Sequence, residues 1–249
     1  MVPGKKSRVV DLGCGCGVIG FGLILSNPEK EILVTGLDRC PGMISHSRKN
    51  AERLKLGHRF SALEMSVEQV NSSTFQAESY DLAVINPPYS SPGSGRPPRD
   101  TSRLNALFCS RAELREFIRA ASFLVKNRGR VGMVFGTERL EELLTEMSNH
   151  SLSVKKILPV YGTKSRPARI VLMEAQKNAE AGLKISPPLI LYHHSGVLTR
   201  QALKFCPFLK CNPNRKRNRV KHLHLSSHRQ YPDRVLHGMP GNPCRYQRP

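Results

Sequence analysis

Nowhere in the 249 residues do about 18 apolar residues run together, so no segment has the length of hydrocarbon that a membrane-crossing helix requires. A secretory leader is missing as well: Met1 to Arg8 pass directly into an apolar strand pattern and a glycine loop, which predicts a cytoplasmic protein. There is no disulfide framework, because seven cysteines at irregular positions make an odd set, and reduced thiols are the simpler reading. Cys14 and Cys16, and Cys206 and Cys211 with His222, His224, His228 and Cys244 downstream, fit no standard zinc spacing, so no metal centre is expected. Acids are scarce, with 19 Asp and Glu against 39 Lys and Arg, a formal net charge of +20.

That imbalance predicts a polyanionic partner, nucleic acid foremost, since each cation that neutralises a phosphate releases a counterion. From Gln201 onward 11 Lys or Arg stand against a single acid, Asp233, so about half of the excess sits in the last 49 residues. A basic tail that merely solubilises accounts for that half equally well. Lacking helical or strand period and rich in Pro, Asn, Arg and His, the tail is expected to be disordered. The chain therefore divides into a folded domain over residues 1–200 and a basic tail over 201–249.

Strand and helix periods alternate between residues 7 and 192, the pattern of a mostly parallel sheet covered by helices. Strands are expected at Arg8 to Leu12, Ile32 to Leu37, Arg59 to Leu63, Tyr80 to Ile85 and Val131 to Phe135. Helices are expected at Val18 to Leu25, Met43 to Leu56, Arg111 to Lys126 and Thr137 to Met147. Asn127-Arg128-Gly129 reads as the stop signal of the third helix. Val154 to Val160 and Ala168 to Met173 follow without an intervening helix, which predicts an antiparallel edge hairpin, and Leu189 to Tyr192 adds a small strand. Residues 90–103, carrying Arg96, Arg99 and Arg103 among prolines and glycines, read as a basic loop for substrate phosphates or, equally, as solvated linker.

Two motifs carry chemistry. The first is Asp11-Leu12-Gly13-Cys14-Gly15-Cys16-Gly17, between a strand and a helix, where glycines let the backbone turn tightly and approach a ligand. Asp38, 21 residues after Gly17 at the end of the second strand, suits a carboxylate that accepts both ribose hydroxyls of a nucleoside cofactor. Gly15 to Gly20 also satisfies the dinucleotide pattern, so a nicotinamide oxidoreductase stays in view. An acid leading the glycines instead favours S-adenosylmethionine, whose sulfonium and ammonium Asp11 can stabilise directly or through water.

The second motif is Asn86-Pro87-Pro88-Tyr89, at the end of the fourth strand. An amide or aromatic amine is a poor nucleophile because its lone pair is delocalised. The Asn86 side-chain oxygen and the Pro87 carbonyl each accept one N–H, holding the nitrogen in line with the methyl carbon. The prolines preset the backbone, and Tyr89 offers a ring for stacking on a planar base.

With these motifs the chain resembles the bacterial tRNA adenine N-methyltransferases that modify the adenosine beside the anticodon of valine tRNA, and more broadly the amino-methyltransferases sharing Asn-Pro-Pro-Tyr. The likeness extends over about residues 8 to 200 and includes Gly136-Thr137-Glu138-Arg139-Leu140, Ala168 to Leu172 with Lys177, and Leu183 to Tyr192. It implies a Rossmann-like class I fold with a seven-stranded sheet and S-adenosylmethionine as cofactor. It also implies that Asp11, Gly13, Cys14, Gly15, Gly17, Asp38 and Asn86 hold the cofactor, that Asn86, Pro87, Pro88 and Tyr89 present the amine, and that the partner is tRNA. The chain departs from that family in having few residues ahead of the glycine motif, Ser66 where an acid is expected near the adenine (Glu64 and Glu68 being alternatives), and no Ala-Arg-His-Glu at 106–109. Methylation of a protein glutamine amide, of a ribosomal RNA or DNA base amine, and a non-catalytic basic RNA-binding role remain as alternatives.

Overall fold

The computed structural model describes residues 3–87 and 110–205. Pro88, Tyr89, the 90–103 loop, residues 106–109 and the tail from 206 on lie outside the described residues. The elements run β1 (Lys6–Leu12), α1 (Val18–Leu25), β2 (Glu31–Asp38), α2 (Pro41–Arg53), β3 (Phe60–Glu64), β4 (Tyr80–Ile85), α3 (Arg111–Leu124), β5 (Val125–Gly136), α4 (Leu140–Asn149), β6 (Leu152–Tyr161), β7 (Ile170–Lys177), β8 (Lys184–Ile185), β9 (Leu189–Ile190) and α5 (Arg200–Phe205). Single 3₁₀ turns at Val67–Gln69 and Thr137–Arg139 complete the series.

All the strands join one sheet in the order β3-β2-β1-β4-β5-β7-β6, with β8 and β9 both pairing to β6. From β3 to β5 every pairing is parallel, while β7 lies antiparallel between β5 and β6. The fold is thus a mostly parallel, Rossmann-like sheet with an antiparallel hairpin at its edge. Seven principal strands match the expected number, and two two-residue strands bring the described sheet to nine; β8 had no apolar run to announce it.

Both faces of β1 and β4, at the centre of the parallel half, are covered, which is why they read as apolar runs, whereas β2 and β3 toward the edge alternate. Phe21 and Ile24 of α1 and Ile44 and Ala51 of α2 pack with Val9, Ile32, Val34, Leu82 and Val84 on one face. Leu114, Ile118, Ala121 and Leu124 of α3, with Leu143 and Met147 of α4, pack on the other against Val10, Leu12, Ala83, Ile85, Val131, Met133 and Phe135. Truncating any of the fully buried Leu or Ile side chains would cost about 2–5 kcal/mol.

The third helix ends earlier than expected. Val125 already pairs with Tyr80, and the register then jumps so that Leu82 meets Arg130. Asn127-Arg128-Gly129 is the bulge that absorbs the extra residues, with Arg128 at a φ of 63°. The stop signal therefore marks a kink inside β5 rather than the helix end. Leu124 closes the helix because the Lys177 ammonium from β7 donates to the Ser122 carbonyl at 2.7 Å and the Val125 carbonyl at 3.2 Å, satisfying acceptors that the helix leaves open.

The described chain continues past the expected boundary at residue 200 into α5, where Ala202 is buried and donates its amide to the capping Thr199 Oγ1 at 3.0 Å. Among the described residues no helix is long and apolar enough to cross a membrane.

Candidate functional site

Three parallel strands deliver the motif residues to one edge of the sheet. Leu12 is in register with Leu37 of β2 on one side and with Ile85 of β4 on the other. The next residue on each strand is Gly13, Asp38 and Asn86, so the glycine turn lies between the acid and the amide. This is the carboxyl edge of a parallel sheet at the point where strand order reverses, the position at which doubly wound folds bind ligands.

The turn is held from below by β2. The Gly13 and Cys14 amides both donate to the Leu37 carbonyl, at 2.8 and 2.9 Å, and the Gly17 amide closes on the Cys14 carbonyl at 2.9 Å. Gly17 sits at φ 87°, and a Cβ there would come within 2.4 Å of the Phe21 ring, so neither the conformation nor the space admits another residue. Gly15 is different. Its φ is 54°, but a Cβ would meet nothing within 4 Å, so the backbone is bare toward open space. A bare, left-handed glycine facing outward is what a cofactor's close approach requires.

Asp38 organises this surface through both carboxylate oxygens. Oδ2 accepts from the Gly15 amide at 2.8 Å and Oδ1 from the Cys40 amide at 2.9 Å. Each oxygen keeps a second lone pair, and the side chain is half-buried, so two ribose hydroxyls can still donate to it. One side chain thus shapes the turn and keeps acceptor capacity at its surface.

Asp11 is 1% exposed and faces inward. Its Oδ2 accepts from the Gly20 amide at 3.1 Å, a donor in the first turn of α1, a helix with no other side-chain cap. Burial pushes its carboxyl up to about 7, opposed by the Gly20 hydrogen bond and assisted by the nearby Asp38 charge. A nearby cation would favour the ionised form.

Cys14 is also buried, with its thiol pushed well above the usual range by burial first and by Asp11 next. Its sulfur packs against Gly36, where a Cβ would come within 2.7 Å. The side chain therefore wedges the turn onto β2, and only its backbone is available to a ligand.

Asn86 is exposed and Pro87 buried, so the amide side chain is accessible while the proline is held by its surroundings. Glu64 ends β3, and Ser66 caps the following 3₁₀ turn in a reciprocal box with Gln69.

Three supporting side chains gave no signal in the sequence. Asn50 of α2 donates from Nδ2 to the Cys16 carbonyl at 3.1 Å, bracing the turn from the helix side. Phe117 of α3 lies under Gly13, with its ring 3.2 Å from where a Cβ would project. Arg39, next to Asp38, pairs with Glu113 in the first turn of α3 at 3.1 Å. Partial burial works against the Glu113 charge, but the Ser110 amide and Arg39 outweigh it and hold the carboxyl below its ordinary range. All three are long-range contacts between elements, invisible to local spacing.

Comparison with known proteins agrees with this geometry. Residues 3–167 match the methyltransferase domain family. The chain is 25% identical over 148 residues, 59% of each protein, to a tRNA1(Val) (adenine(37)-N6)-methyltransferase of Aeromonas salmonicida, and so spans less than two thirds of that relative's length. It is 34% identical to a release factor glutamine methyltransferase of Salmonella typhimurium over 91 residues, 35% of this chain and 29% of that protein. In fold it is similar to a predicted O-methyltransferase from Agrobacterium tumefaciens, with a TM-score of 0.64 at 20% identity, covering 82% of this chain and 88% of that one. A bare glycine turn, an acid at the tip of β2 and a family match over about two thirds of the chain lead to one assignment: the protein belongs to the methyltransferase domain family.

Proposed function

We propose that the protein transfers a methyl group to the exocyclic amine of an adenine in tRNA. The observation that carries this reading is the register of β1 with β4, which puts Asn86 and Pro87 beside the glycine turn on the same sheet edge. The cofactor supplies an electrophilic methyl on a sulfonium. Gly13, Gly15 and Gly17 shape its bed, Asp38 receives its ribose, Asp11 offsets its positive charge from below, and the Cys14 backbone follows the same turn.

Asn86 accepts one N–H of the substrate amine through its side-chain oxygen, and the Pro87 carbonyl accepts the other. Two acceptors on one nitrogen favour a more tetrahedral amine and aim its lone pair at the methyl carbon. Pro88 stiffens the loop and Tyr89 stacks on the base. The proton left on the nitrogen passes to water after transfer, so the site needs neither a metal nor a covalent intermediate.

The net charge of +20 and the tRNA-methylating relative support nucleic acid as the acceptor. The relative acting on release factors keeps a second reading alive, because a glutamine amide presents the same pair of N–H donors to the same acceptors. Incubation with radiolabelled cofactor, unmodified tRNA and a glutamine-bearing release factor separates them. Labelled N6-methyladenosine on nucleoside mass spectrometry is expected; label confined to the release factor would replace the tRNA reading.

A further inference from the structure

The reading edge of the sheet carries several cations, and most are already neutralised within the fold. Arg39 pairs with Glu113 at 3.1 Å, Arg111 with the buried Glu146 at 3.6 Å, and Arg139 with Glu142 at 2.7 Å. The turn between β6 and β7 is different. Lys164, Arg166 and Arg169 are all exposed there, and among the described residues none forms an ion pair.

Topology brings this turn to the methyl-transfer side. Because β7 is antiparallel and β6 parallel to the core strands, the β6–β7 connection emerges at the same edge as the ends of β1, β2 and β4. Ile85, the residue before Asn86, is in register with Met133, whereas the turn begins beyond Gly136, which pairs with Ile170. The turn therefore rises three residues, about 10 Å, above the level of Asn86, and stands two to three strand spacings, about 10–15 Å, to its side.

It is also held in place. Thr137 donates from its amide to the Arg169 carbonyl at 3.1 Å and from Oγ1 to the Ala168 carbonyl at 2.8 Å, tying one leg to the end of β5. The Gly162 carbonyl accepts from the Tyr192 amide at 2.9 Å, tying the other, and the Arg166 amide closes on the Thr163 carbonyl at 3.3 Å. Cations on a braced projection present their charge without the ordering cost of a loose loop.

We propose that the β6–β7 turn, residues 162–169, is a phosphate-binding finger that takes the RNA backbone flanking the target base through Lys164, Arg166 and Arg169. This inference rests on the tRNA reading above. The base enters at Asn86 while its neighbouring phosphates lie across the adjacent strands, so the finger sets position and the Asn-Pro turn performs the chemistry. No bond is made or broken at the finger, and it does not touch the cofactor.

The test uses the full chain with Lys164→Glu, Arg166→Glu and Arg169→Glu combined, and a control with Lys49→Glu and Arg53→Glu on the exposed side of α2. Binding to unmodified tRNA is followed by fluorescence anisotropy across a salt series, cofactor affinity by calorimetry, and methylation by KM and kcat separately. The triple variant is expected to bind tRNA about tenfold to hundredfold more weakly, with its log–log salt slope flatter by about 2. KM for tRNA should rise correspondingly, with kcat at saturation and cofactor affinity within about twofold of wild type; retained cofactor binding also reports that the variant is folded. Unchanged tRNA affinity and slope in the triple variant, with wild type binding tRNA, would overturn the finger alone. Wild type that neither binds nor methylates tRNA would overturn the tRNA reading and the finger with it. An equal loss in the α2 control would show that only overall charge matters, and would likewise reject the finger.

Discussion

The two halves of the sheet are built on opposite terms. In the parallel half, β3-β2-β1-β4, helices cover both faces of the central strands and the carboxyl edge presents backbone amides, a bare glycine and carboxylates held by hydrogen bonds. In the antiparallel half, β5-β7-β6, β7 alternates buried with half-exposed positions, β6 buries only Leu152 and Ile157, and the edge presents exposed cations on a turn. A cofactor of fixed shape suits the first construction, where each atom of the bed is set by the core. A long, irregular polyanion suits the second, where charge on a firm stem is enough.

That contrast is sharpest at the boundary, Asn86, which should matter to chemistry and hardly to cofactor. Asn86→Ala is expected to lower kcat by about 100-fold to 1,000-fold, the usual cost of losing one preorganised polar partner of the transition state. Cofactor affinity measured by calorimetry should stay within a few fold; a parallel collapse in both would merge the two roles. Asp38→Ala is the mirror experiment. Losing the ribose acceptors and the tether on Gly15 should weaken cofactor binding by about 100-fold, at hydrogen-bond values of about 1.5–3 kcal/mol to a charged group.

Overpacking tests whether the parallel half is as rigid as its packing implies. At Gly20 a Cβ would meet the Phe60 ring at 2.7 Å and Val34 at 3.0 Å, so Gly20→Val should cost about 1–3 kcal/mol in urea unfolding. A neutral result would mean that α1 can lift from the sheet.

The last effect concerns Asp11 and is read from pH profiles. With its folded carboxyl at about 7 against an ordinary 3.8, the folded protein binds more protons than the unfolded chain between those values. Stability without cofactor should therefore be greatest at low pH within that window, fall as pH rises from about 4 to about 7, and level off above. Cofactor affinity should move oppositely, rising toward pH 7 as a cation draws out the ionised form. Asp11→Asn should flatten both profiles, readable from thermal melts and calorimetry at pH 5 and 8.

Much of the architecture could be read from residue order. The bounds of α1 and β4 coincide with the apolar runs that define them, because each is a short apolar segment flanked by turn residues, β4 nearly wholly buried and α1 buried through Gly20, Phe21 and Ile24. Legibility declined where partners decide. β6 and β7 extend beyond their expected spans through Ser153, Gln176 and Lys177, residues with no strand signal of their own that are recruited by pairing, Ser153 with Gln176 and Lys177 with Leu152. The end of α3 was misjudged because its stop is supplied by a lysine 52 residues beyond Val125.

The site divides the same way. Gly13, Gly15, Gly17 and Asp38 were visible because tight turns restrict residue type locally. The dual anchoring of Asp38 on Gly15 and Cys40, and the helix-capping duty of Asp11, depend on which strands become neighbours, and spacing alone does not carry that.

Lys177 gives the contrast between the halves a limit. Besides the two carbonyls at the end of α3, its ammonium meets the Glu78 carboxylate at 2.9 Å, and that hydrogen bond holds the Glu78 carboxyl below its ordinary range. A single amine rooted in β7 thus gathers the last turn of α3 and the approach to β4, while Arg39 holds the first turn of the same helix. Fraying of the hairpin would strip α3 of its distal clasp, so amide protons on that helix should exchange only when the entire sheet opens, and the specialised halves should melt as one cooperative body.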